Sequence, residues 1–138
     1  MKKIKFAVVG CGNIGSRHFA ILEAEQRADI VSVCDNEIDR CKGYSTLYGG
    51  VPYFLDYSGM IRHMDIDVIN ICPPHGLHAP MAIEAAEMGI HILVEKPMAL
   101  TVNDAQKMIT AAEENKGWMM VALTRYLQTI ADYNADKL

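Results

Sequence analysis

A chain of 138 residues is long enough for one domain with a real core and too short for two substantial ones. Hydrophobic residues make up 51% of it, charged residues 22%, and the formal net charge is −4, which excludes an intrinsically disordered chain and a basic nucleic-acid surface. No stretch is long enough to cross a bilayer, and the apolar run after Lys2, Lys3 and Lys5 stops at Gly10, too early for a signal peptide, so a cytoplasmic protein is expected.

The first element is a buried parallel strand over Ile4 to Val9, rich in β-branched and aromatic residues, and Ile14 to Ala24 carries apolar residues at helical spacing. Between them lies Gly10-Cys11-Gly12-Asn13-Ile14-Gly15, with room only for a tight turn. In a dinucleotide-binding turn, Gly10 takes the reversal, Gly12 lets backbone approach a pyrophosphate, and Gly15 lets the helix lie close on the strand. The helix N-terminus then presents unpaired N–H groups and partial positive charge to the phosphates.

The next apolar run, Ile30 to Cys34, ends in Asp35, which stands twenty residues past Gly15, the spacing of a ribose-binding carboxylate. Taken alone, Asp35 could equally cap the following helix; strand, turn, helix, strand and acid together favour the dinucleotide. Asn36 to Tyr48 is polar and helix-compatible, ending at Gly49-Gly50, which supply a left-handed stop. A short strand follows at Val51 to Phe54. Asp56 or Ser58 caps a brief helix through Met64, and Asp65 to Ile71 is a fourth strand.

Cys72-Pro73-Pro74-His75-Gly76 must turn before helical character resumes over Leu77 to Met88, with Pro80 in the first turn. Ile90 to Val94 is a fifth strand, closed by Glu95-Lys96-Pro97, and Thr101 to Asp104 is a capping box. The helix after it is amphipathic, with Val102, Ala105, Ile109 and Ala112 predicted on its apolar stripe and Asn115 and Gly117 at its end. Trp118 to Ala122 is a sixth strand, and Leu123 to Leu138 a mixed tail.

This alternation predicts an α/β Rossmann fold, a doubly wound parallel sheet of order 3-2-1-4-5-6 with right-handed crossovers. Its carboxyl edge gathers Gly10–Gly15, Asp35, Cys72–His78 and Glu95–Pro97. The four cysteines, Cys11, Cys34, Cys41 and Cys72, form no C-x-x-C pair and read as free thiols. His75 and His78 are spaced i, i+3, but no Cys or acidic residue joins them at ligand spacing, so no metal site is expected.

Three motifs give the chain a resemblance to the glucose–fructose oxidoreductase and inositol dehydrogenase family, Gfo/Idh/MocA, over almost its whole length. They are Gly10–Gly15 with Arg17-His18, Cys72-Pro73-Pro74-His75-Gly76-Leu77-His78 and, most specifically, Val94-Glu95-Lys96-Pro97-Met98-Ala99-Leu100. The resemblance implies an NAD-dependent oxidoreductase, with NADP less favoured, acting on a hydroxyl of a sugar, polyol or nucleotide sugar. It implies that Lys96 acts on the substrate hydroxyl during hydride transfer. Cofactor contacts carry over to Gly10, Gly12, Asn13, Ile14, Gly15, Asp35, Cys72, Pro73, His75, His78, Glu95 and Lys96. Substrate contacts carry over to Lys96 and to Arg125 of the Arg125-Tyr126 pair, although Thr124 stands where the family often has a polar amide residue.

Family members continue into a second α/β domain that covers the nicotinamide. The expected division is therefore a dinucleotide-binding domain over 1–122 and, over 123–138, a tail or the start of that second domain. A homo-oligomer is expected of the full-length form. The alternative to an oxidoreductase is a binding module, or a truncated product, that holds the dinucleotide without turning over.

Overall fold

The structure, a computed structural model, describes residues 2–122. Six parallel strands form one sheet in the order β3-β2-β1-β4-β5-β6, the expected order. They are β1 (Ile4–Val9), β2 (Ala28–Cys34), β3 (Tyr53–Phe54), β4 (Val68–Ile71), β5 (His91–Glu95) and β6 (Met119–Ala122). The helices are α1 (Asn13–Ala24), α2 (Ile38–Leu47), α3 (Tyr57–His63), α4 (His78–Glu87) and α5 (Val102–Glu114), with a single 3-10 turn at His75–Leu77 before α4. β1 pairs with β2 on one side and β4 on the other, so the strand order reverses at β1 and opens a crevice at the carboxyl ends of β1 and β4.

The core has two faces because β1 is covered on both. Val8 packs with Phe19, Leu22 and Val33 on the α1 side, while Ala7 and Val9 pack with Met60, Ile69, Ile71, Ala82 and Met108 on the other. Tyr44 of α2 stacks on Phe19 at 4.1 Å between ring centroids, which fixes α2 against α1. Gly49 and Gly50, at φ +77° and +82°, supply the left-handed stop after α2.

Local chemistry sets the ends of the elements. Asp56 caps α3 by accepting from the Gly59 N–H at 2.8 Å, and Thr101 caps α5 by accepting from the Asp104 N–H at 3.0 Å. α2 starts at Ile38 rather than Asn36 because the Asp35 carboxylate accepts from the Glu37 N–H and holds that stretch as a turn. β4 starts at Val68 rather than Asp65, since Asp65 and Asp67 are used to tie Lys5: Asp65 pairs with its ammonium and Asp67 accepts from its backbone N–H at 2.8 Å.

The stripe predicted on α5 is corrected. Val102 is 87% exposed and Ile109 lies at the surface, whereas Met108, Ala111 and Ala112 are the buried residues. Ala112 is buried and Ala105 half-buried, as expected, but Met108 rather than Ile109 fills the space against α4, and Val102, first residue of the helix, projects into solvent.

Candidate active site

The glycine turn separates into two kinds of glycine. Gly10 has φ +87°, and a Cβ on it would stand 2.5 Å from the Cys72 carbonyl carbon and the Pro73 nitrogen. A Cβ on Gly15 would stand 2.0 Å from the Gly10 carbonyl oxygen. These two glycines are demanded by the protein's own packing, since they let the turn lie against the loop after β4 and let α1 lie against the turn. Gly12 is different. Its φ of −82° suits any residue, and a Cβ there would meet nothing within 4 Å among the described residues. The fold leaves that face clear, as close approach of a pyrophosphate requires.

α1 begins at this point with no side-chain cap and no acidic residue in its first turn. Its leading N–H groups are thus open to an anion, with Asn13 and Ile14 exposed beside them. Asp35, 7% exposed at the end of β2, accepts from the Cys11 N–H at 2.7 Å and from the Glu37 N–H at 2.9 Å. Each oxygen keeps a second acceptor position for a ribose hydroxyl. Arg40 leans on this acid at 3.9 Å and on Glu37 at 3.2 Å, so its charge is partly engaged. These residues fit the adenosine half of a dinucleotide.

The other half of the edge comprises the loop after β4 and the turn after β5. Pro73 is half-buried and Lys96 is exposed, joined to Pro97 by a cis peptide bond. Burial, and then the charge of Glu95, push the Cys72 thiol up to about 12, so this cysteine is neutral. His78 is fully buried, with Nδ1 2.8 Å from the Pro97 carbonyl oxygen and Nε2 2.9 Å from that of Pro73. Both neighbours are backbone carbonyls and a neutral imidazole carries one N–H, so the ring donates to one of them and lies against the other, between the two loops. His75 is exposed, with its ring edge-on to His78 at 5.6 Å, and it lines a cleft between α4 and α5 together with Leu100 and Lys107. Arg125 and Thr124 lie outside the described residues.

Glu95 carries a connection that the motifs did not announce. Its Oε1 lies 2.9 Å from His18 Nε2, its Oε2 accepts from the Lys96 N–H at 3.2 Å, and His18 Nδ1 lies 3.0 Å from the Asn70 side-chain amide nitrogen. All three side chains are buried. The available signal was a polar residue inside an apolar pattern: Asn70 between Ile69 and Ile71, and His18 on the buried face of α1.

The family model described as "Oxidoreductase family, NAD-binding Rossmann fold", GFO_IDH_MocA, matches residues 4–123. The chain belongs to this family. NAD is the cofactor its fold takes, in agreement with the glycine turn and Asp35. Among solved structures, the chain is 35% identical to the WlbA dehydrogenase of Chromobacterium violaceum in complex with NADH and UDP-GlcNAcA, with a TM-score of 0.85, covering 88% of this chain and 35% of that one. Among curated proteins it is 26% identical to a D-glucoside 3-dehydrogenase of Escherichia coli over 80% of this chain and 32% of that protein. It is also 31% identical to a glycosyl hydrolase family 109 protein of a Shewanella species, over 91% of this chain and 30% of that protein. The chain thus spans about a third of the length of the relatives it matches.

Proposed function

We propose that these residues form the cofactor-binding part of an NAD-dependent dehydrogenase that acts in the cytoplasm on a hydroxyl of a sugar, polyol or nucleotide sugar. The observation that carries the proposal is the shared carboxyl edge, where the clear face of Gly12, the uncapped start of α1, Asp35, Glu95 and exposed Lys96 all lie. Residues 1–122 are then the dinucleotide-binding domain and 123–138 lead into a substrate domain, a division supported by the share of each relative that the chain spans. The complete protein is a homo-oligomer in this reading.

Bound NAD supplies the hydride acceptor. Gly12 and the first turn of α1, including Asn13 and Ile14, hold the pyrophosphate, and Asp35 accepts from the adenosine ribose hydroxyls. Glu95 accepts from the second ribose, and Pro73, with Cys72 and His75 in the same loop, borders the nicotinamide side. His78 serves by fixing that loop to the Pro97 turn. Lys96 takes the proton of the substrate hydroxyl as its carbon loses hydride and returns it in the reverse direction. Arg125 contributes to the substrate side.

The test has two arms. Calorimetric titration of the chain with NAD should give saturable one-site binding. Assay of the complete protein with a panel of polyols and nucleotide sugars should give NADH formation that Lys96→Met cuts roughly a hundredfold or more while NAD binding persists. Binding without turnover for every substrate class would instead favour a dinucleotide-holding module.

A further inference from the structure

We propose that His18 and Asn70 are positioning residues, which set the direction of the Glu95 carboxylate and, through it, the backbone at Lys96. The proposal rests on the dinucleotide reading of this edge.

Three elements distant in sequence supply the chain of contacts, α1, β4 and the end of β5, and none of the three residues exceeds 8% exposure. Apolar residues of similar volume would fill this space without the desolvation that a buried amide, imidazole and carboxylate incur. Asn70 lies on a central strand between Ile69 and Ile71, and its Oδ1 has no hydrogen-bond partner among the described residues. A core built for stability alone would not keep an orphaned oxygen there.

The direction of the hydrogen bonds follows from the donors. The Asn70 amide donates to His18 Nδ1, so the His18 proton sits on Nε2 and is donated to Glu95 Oε1. The chain stops at Asn70, whose amide cannot relay a proton, and therefore acts as a strut. Glu95 is held at both oxygens, by His18 and by the Lys96 N–H, and the lone pairs left over can accept from a ribose diol. Because α1 is also the helix whose first turn faces the phosphates, the strut fixes the lysine turn relative to the pyrophosphate site.

Binding of ADP and of NADH separates this role from general support of the fold. ADP reports the glycine turn and Asp35 alone, whereas NADH also engages the Glu95 side. His18→Leu is expected to weaken NADH roughly tenfold, the loss of one hydrogen bond to a charged group, while leaving ADP unchanged. His18→Gln, whose amide can donate from nearly the same place, should restore NADH binding. In a Glu95→Gln background, His18→Leu should add little. The imidazole ¹⁵N shifts of the unliganded chain should show Nε2 protonated and Nδ1 bare. Equal losses for ADP and NADH, no loss for either, or a protonated Nδ1 would overturn the proposal, whereas failure of the unaltered chain to bind ADP and NADH would overturn the dinucleotide reading beneath it.

Discussion

The three glycines of the turn are expected to fail in different ways when given a methyl group. At Gly15 the new Cβ would stand 2.0 Å from the Gly10 carbonyl oxygen, so α1 must move off the turn. Overpacking against backbone of this kind costs about 3 kcal/mol. At Gly10 a comparable clash with Cys72 and Pro73 is joined by left-handed strain of about 1–2 kcal/mol. Gly12→Ala meets nothing among the described residues. Its weaker capping of α1 is offset by lower entropy of the unfolded chain, leaving stability within about 0.5 kcal/mol. With a urea slope of about 2 kcal/mol per molar, Gly15→Ala should lower the unfolding midpoint by about 1.5 M and Gly12→Ala should leave it in place. Affinity should run the other way: Gly12→Ala keeps its fold yet loses at least tenfold in NAD affinity, about 1.4 kcal/mol, because the methyl occupies the phosphate's approach. Urea unfolding followed by circular dichroism, with calorimetric titration of the same samples, decides the matter. A Gly12→Ala protein as unstable as Gly15→Ala, or one that binds NAD unchanged, would refute the assignment of the clear face.

Asp35 should give NAD at least a tenfold preference over NADP, about 1.4 kcal/mol, since its carboxylate would repel a 2′-phosphate; Asp35→Ser should narrow the gap in paired titrations, and equal affinities in the unaltered chain would count against it. Cys34 and Cys72 are pushed up to about 12, chiefly by burial, so iodoacetamide at pH 8 should label neither until the chain unfolds; rapid native-state labelling would contradict their placement. The same shifts fix a pH dependence: from about pH 9 upward the unfolded thiols ionise while the folded ones stay protonated, so stability should fall as pH rises from 9 toward 12, measurable as a declining urea midpoint. In the complete protein, Lys96→Met should cut turnover roughly a hundredfold or more with NAD affinity kept, and unchanged turnover would leave the lysine a structural role. Binding is best followed by calorimetry or NADH fluorescence, because Trp118 precedes β6 at the amino edge of the sheet, away from the proposed site.

The sheet order and the glycine turn were legible in the sequence because each rests on local signals: β-branched runs, turn residues, and glycines at positions where a side chain has nowhere to go. Caps were legible for the same reason, as Asp56 and Thr101 illustrate. The α5 stripe was legible only in part: Ala105 and Ala112 lie inward as expected, but Met108 and Ile109 are adjacent apolar residues, and only packing against α4 selects Met108. Within the site, the adenosine contacts are neighbours along β1, α1 and β2, whereas His18, Asn70 and Glu95 meet across separations of 52 and 77 residues. No spacing rule reaches that far. His78 shows the complementary limit: the motif marked the residue, but its two backbone contacts exist only once the β4 loop and the Pro97 turn are side by side.

These separations divide the edge into parts of different dependence. The adenosine side needs only β1, α1 and β2, held by pairings along the full length of β1. The opposite side depends on three segments meeting: the β4 loop, pressed on the turn at Gly10; the Pro97 turn, tied to that loop by His78; and Glu95, tied to α1 by His18. Gly10 belongs to both sides, since its missing side chain lets the phosphate turn touch Cys72 and Pro73. A shift of α1 is therefore transmitted twice to the lysine turn, once through Gly10 and the β4 loop and once through His18 and Glu95. Two independent attachments between the same bodies remove a hinge that either alone would permit, and the proposed hydride transfer, which would tolerate little error in the distance between donor and acceptor carbons, would gain from that rigidity.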